Sequence, residues 1–112
     1  MSLVDRLPPQ SLEAEQATLG AALISRSAVE RVLEILTRED FYLEAHRKIY
    51  DVLAFLSERD NPADIQTVPE ELRRRNQLEQ VGGVAYILTL AESVPTAAHV
   101  EYYARTVAEK SI

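Results

Sequence analysis

The chain has 112 residues but only three glycines and five prolines, and the stretches between them carry apolar residues three and four positions apart. That spacing gathers apolar side chains on one face of an α-helix and does not fit the alternation of a half-buried strand. Val29, Val32, Leu33 and Leu36 are the clearest case, at i, i+3, i+4 and i+7. Ala45, Ile49, Val52, Leu53 and Leu56 form a second stripe, and Val100, Tyr103, Ala104, Val107 and Ser111 a third. No stretch reads as a strand. The fold class expected is all-α, a small orthogonal or bundle-like packing of about five to six helices.

Local signals place the boundaries. Pro8 and Pro9 stop an irregular arm, and Ser11 then serves as N-cap of a helix to Ile24, with Glu13 and Glu15 in its first turn against the positive end of the helix dipole. A run of small residues, Ala14, Ala17, Gly20, Ala21 and Ala22, lets another helix approach this one closely. Ser27–Glu30, Thr37–Asp40 and Thr67–Glu70 read as capping boxes, with Pro69 tolerated in a first turn. The second of them is expected to feed Phe41 and Tyr42 into the core. The next helix spans Leu43 to Arg59, with a Glu44–Lys48 ion pair on its surface, and Asp60-Asn61-Pro62 ends it. Val81-Gly82-Gly83 reads as a flexible joint before a helix over Val84–Ser93, which Val94-Pro95 closes. Thr96 caps a last helix that meets no glycine or proline before Ile112, so the chain is expected to be part of a longer polypeptide.

Composition excludes several functions. Without cysteine there is no disulfide frame and no thiolate metal site. No apolar run approaches the ~18–20 residues of a membrane span and no signal peptide is visible, so a cytoplasmic protein without membrane contact is expected. Eighteen acidic against twelve basic residues give a net charge of −6, which opposes the phosphate contacts behind nucleic-acid affinity. Arg73, Arg74 and Arg75 are consecutive on a helix, point about 100° apart, and read as a solvated face rather than one flat patch.

Catalytic signatures are absent. No G-x-x-x-x-G-K-[ST] loop occurs, and Gly82-Gly83 leads into Val84 rather than a lysine. His46 and His99 have no ligand-spaced partners: His46 reads as a core-edge histidine donating one hydrogen bond, His99 as an exposed polar residue. The expectation is no catalytic residue, no cofactor site and no metal site in this chain.

What remains is surface. With Val84, Ile87, Leu88 and Ala91 as the core stripe of their helix, Tyr86 points to the opposite side. There it serves as a protein contact, or a neighbouring element of the domain covers it. The last helix is apolar on two faces, since Tyr102 stands off the Val100/Tyr103/Val107 stripe. A second apolar face must be buried somewhere, and self-association through Val100, Tyr102, Tyr103 and Val107 is the reading preferred over intradomain burial.

Four blocks give a family resemblance. Pro8-Pro9-Gln10-Ser11 with Glu13-Ala14-Glu15-Gln16 and Leu19-Gly20 resembles the opening of the DnaB-like bacterial replicative helicases. Glu39–Tyr42 with Ala45-His46 and Lys48-Ile49-Tyr50, Gln77–Tyr86, and Val94–Arg105 follow in that family's order, covering roughly Leu7 to Ile112. The resemblance implies an N-terminal arm over residues 1–10, a helical head over 11–95, and the first helix of a helical hairpin over 96–112. It implies a collar domain whose hairpins pair subunits into dimers, the building blocks of a hexamer, and which receives the C-terminal domain of primase. Glu13 and Tyr86 are the residues expected to touch primase. The ATP- and Mg-dependent motor would lie on other polypeptide. The alternatives are a nucleic-acid-binding domain, which the charge opposes, and a stand-alone helical interaction domain or enzyme.

Overall fold

The computed structural model describes residues 9–111, with side chains from residue 12 onward. The described residues form six α-helices and two short 3-10 turns: α1 (Pro9–Ile24), α2 (Arg26–Ile35), α3 (Glu44–Glu58), α4 (Thr67–Arg74), α5 (Gly83–Glu92) and α6 (Val100–Lys110), with the turns at Arg38–Asp40 and Glu79–Val81. The all-α expectation holds. The expected arm lies, up to residue 8, outside the described residues.

Helix α1 is the axis of the domain, packing on α2, α5 and α6 and touching α3, while α3 pairs with α4. The small-residue run is the reason it can serve so many neighbours. Leu19, Ala21 and Ala22 are fully buried, and a Cβ at Gly20 would overlap the carbonyl oxygen of Leu90 on α5. The core is completed by Val32, Phe41, Ile49, Val52, Leu53, Val68, Leu72 and Ile87, all without solvent exposure. Burying each large member contributes about 1.5–3 kcal/mol.

Several boundaries differ from those the sequence suggested. Helix α1 begins at Pro9, so Ser11 lies inside the helix and is not its cap. Ser25, not Ser27, caps α2, its hydroxyl accepting from the Ala28 N–H at 3.3 Å. The Thr37 box forms as expected, with the Asp40 carboxylate accepting from the Thr37 N–H at 2.8 Å; Phe41 is buried behind it, but Tyr42 stays exposed. Glu44 pairs with Arg38 and Arg47 at 3.7 and 3.8 Å instead of with Lys48, whose ammonium donates to Gln80. Asp64, three residues before Thr67, holds the start of α4 by accepting from the N–H groups of Gln66 and Thr67, each at 2.9 Å. Those N–H bonds push the Asp64 carboxyl below its ordinary range, against a smaller opposing effect of burial. Thr96 makes a local turn, accepting from the Ala98 N–H at 3.1 Å, and α6 starts only at Val100.

Left-handed residues set the stops. Asp60 after α3 (φ 57°) and Asn76 after α4 (φ 59°) let Asn61 N–H reach Leu56 O at 2.9 Å and Gln77 N–H reach Leu72 O at 2.8 Å. Gly82 (φ 109°) does the same, with Gly83 N–H donating to Leu78 O at 2.9 Å. The expected flexible joint is thus a hydrogen-bonded turn.

Two helices sit otherwise than their wheels suggested. On α5 the buried residues are Ile87 and Leu90, whereas Val84 and Leu88 are 41% and 38% exposed. Tyr86 is half-buried and packs against the core, so its outward placement is overturned. The helix is apolar around most of its circumference, so its own pattern does not fix the rotation; the Gly20 approach and the Tyr86 hydroxyl contacts do. On α6, Val100, Ala104 and Val107 are buried on the side that packs against α1 and α2. Val100 and Val107 are therefore core residues rather than self-association contacts. Arg31 of α2 also reaches across to pair with Glu101, and this guanidinium, with Arg105 assisting, holds the Glu101 carboxyl below its ordinary range.

A candidate docking groove and the buried network behind it

The groove lies between the N-terminal half of α1 and α6. Glu13, Gln16 and Ala17 of α1 form one wall, Tyr102, Tyr103 and Thr106 of α6 the other, and Ser93, Val94 and Pro95 close one end; it encloses about 450 Å³. Tyr102 is 70% exposed, the most exposed of the large apolar and aromatic residues described. Its ring meets that of Tyr103 edge-on, centroids 5.8 Å apart at 70°, an arrangement that fixes an otherwise free aromatic at modest cost. Glu13 is exposed on the other wall. Two sets of residues expected to serve different contacts, Glu13 on one hand and Tyr102 with Tyr103 on the other, thus face one another.

Behind the α1 wall runs a polar network. The carboxylate of Glu15 and the ring of His46 are buried (2% and 0% exposed) and meet at 2.7 Å through Nδ1. The second Glu15 oxygen accepts from the Tyr42 backbone N–H at 2.8 Å. His46 Nε2 lies 2.6 Å from the Tyr86 hydroxyl, and the two rings stack at 5.9 Å and 8°. Gln16 donates to the same hydroxyl at 3.3 Å. His46 therefore makes two hydrogen bonds, not the one expected, and sits inside the core rather than at its edge. Glu15 is not a dipole carboxylate.

Carboxylate, imidazole and hydroxyl in this order have the outline of a nucleophile relay. The chemistry opposes that use: burial pushes the Tyr86 phenol above its ordinary value, partly offset by Gln16 and reinforced by the Glu15 charge. The network ties α1, α3 and α5 together instead. Among the described residues, no group of three or more His, Asp or Glu side chains is arranged to hold a metal, and no helix is long and apolar enough to cross a membrane.

Two members of the basic run, Arg74 and Arg75, are engaged on the domain's own surface. Arg74 and Arg75 pair with Glu71 at 3.4 and 3.0 Å, and Arg75 and Arg59 lie over the Phe55 ring at 4.8 and 4.3 Å. His99 is exposed at the start of α6.

The family model for the DnaB-like helicase N terminal domain matches residues 7–109. The chain belongs to this family. It is 51% identical over 110 residues to the replicative DNA helicase DnaC of Bacillus subtilis, covering 98% of this chain and 24% of that protein. It is 52% identical over 108 residues to the replicative DNA helicase DnaB of Geobacillus stearothermophilus, again 24% of the relative. The crystal structure of the N-terminal domain of DnaB helicase from Mycobacterium tuberculosis superposes with a TM-score of 0.90 at 50% identity, covering 94% of this chain and 73% of that one. The chain thus spans about a quarter of the length of these curated relatives. It has the all-α fold of a DnaB-family N-terminal domain.

Sequence reasoning missed what Glu15 and Gln16 do here: Glu15 is the buried partner of His46, and Gln16 lines the groove. Both sit in the block that identified the family, but the signal that separates them from Glu13 is rotational. At about 100° per residue, Glu15 shares a face with Ala14, Thr18 and Leu19, the buried one.

Proposed function

We propose that this domain is the collar module of a hexameric replicative helicase, and that its α1–α6 groove receives the C-terminal domain of primase. The carrying observation is the convergence of Glu13, Tyr102 and Tyr103 on one groove. An exposed aromatic beside a carboxylate suits a partner that offers an apolar side chain next to a cation. A second copy of the chain fits less well, because each copy carries a net charge of −6. Subunit pairing is then the task of the helical hairpin that α6 begins. The ATP- and Mg-dependent motor lies on polypeptide beyond this domain, which contributes no catalysis and no direct DNA contact, and the helicase works in the bacterial cytoplasm.

The test is titration of the primase C-terminal domain into this chain. Tyr102→Ala and Glu13→Lys should each weaken binding by about 1–2 kcal/mol while shifting the melting temperature by only a degree or two. Wild-type affinity in both variants would remove the groove from primase binding.

A further inference from the structure

Gln16 belongs to two structures at once: it lines the groove beside Glu13 and Tyr102, and it donates to the Tyr86 hydroxyl at 3.3 Å. The bonds behind it run in a single direction. A carboxylate oxygen accepts, so Glu15 accepts the hydrogen bond that His46 Nδ1–H donates at 2.7 Å. That leaves Nε2 as acceptor for the Tyr86 O–H at 2.6 Å. The Tyr86 oxygen is then free to accept from Gln16. Every member is satisfied only in the Nδ1–H tautomer.

The ring of Tyr86 also has little room to move. It stacks on His46, and the Gly82 backbone approaches so closely that a Cβ there would come within 2.8 Å of the Tyr86 Cβ. Burying Glu15 and His46 carries a desolvation cost that an apolar pair of the same shape avoids. The network's open end is Gln16, at the groove.

Resting on the groove reading, we propose that Glu15, His46 and Tyr86 are positioning residues for partner binding: they fix Gln16, and with it the α1 wall, without touching the partner. Tyr86 then influences primase affinity through its hydroxyl and not by contact.

The experiment measures the affinity of the primase C-terminal domain for Tyr86→Phe, which keeps the ring and its packing and removes only the hydroxyl. Binding should weaken about 3- to 10-fold, the scale of coupling through a packed hydrogen-bonded network. Nitrogen-15 spectra of the histidine rings supply a readout that simple destabilisation does not move. In the wild-type chain His46 should show the Nδ1–H tautomer, and its Nε2 resonance should shift when primase is added although the ring is buried; in Tyr86→Phe that shift should vanish. Unchanged affinity in Tyr86→Phe, alongside weakened binding in Tyr102→Ala and Glu13→Lys, overturns the positioning role and leaves the groove standing. Unchanged affinity in all three overturns both. An Nε2–H tautomer in the wild-type chain overturns the positioning role by itself.

Discussion

Glu13 and Glu15 are two residues apart on the same helix, carry the same side chain and lie in different worlds. Glu13 is exposed on a groove wall, while Glu15 is 2% exposed and accepts from His46 and from the Tyr42 backbone. About 200° of helical rotation separates them. Near a helix N-terminus both read as carboxylates answering the dipole, but only packing decides which of them belongs to the fold. A buried carboxylate with two charge-assisted bonds is part of the structure; an exposed one is available to a partner.

The contrast can be broken by stability measurements. Glu15→Ala strands the His46 N–H and the Tyr42 N–H without water, and should cost about 3–5 kcal/mol in denaturant unfolding. Glu13→Ala should stay within about 0.5 kcal/mol. Equal effects would mean that the burial of Glu15 carries no energy. The next largest effect tests the face of α1 that meets α5. Gly20→Ala drives a methyl group into the Leu90 carbonyl and towards the Ser93 hydroxyl, 3.0 Å from the new Cβ, and should cost about 2–3 kcal/mol. A neutral Gly20→Ala would show that the two helices part freely.

The smallest effect concerns a carboxylate that does guard a helix start. Asp64 has its pKa lowered in the folded chain by the Thr67 and Gln66 N–H groups. Its contribution is therefore complete above the ordinary aspartate value near pH ~4 and is lost as pH falls through the lower folded value. Melting curves taken from pH 5 downward should fall less steeply in Asp64→Asn, because the amide does not titrate. Parallel pH slopes in the two proteins would remove Asp64 from the account.

The helices and most of the core were legible because periodicity survives in each segment alone. Val29, Val32, Ile49, Val52, Leu53 and Leu56 are buried as their spacing suggested. The small-residue run around Gly20 also announced a close helix neighbour correctly. What failed is what one segment cannot encode. The rotation of α5 depends on α1 and on His46 of α3, so its own pattern points Val84 and Leu88 inward and Tyr86 outward, against what packing sets. The Val100/Val107 stripe of α6 is covered by α1 and α2, which takes those two residues from the surface, while the second face keeps Tyr102 exposed. Caps slipped by two or three residues because serine, threonine and aspartate cluster at these helix starts, and the backbone geometry chooses among them. The groove was half-visible: its residues were singled out, but that they share one site is a fact of tertiary structure.

The seating of α6 has a mechanical outcome. Val100, Ala104 and Val107 anchor it along its length, and the Arg31–Glu101 pair bolts it sideways to α2. A pull on α6 near Lys110 is therefore resisted along the helix by its buried stripe against α1 and α2.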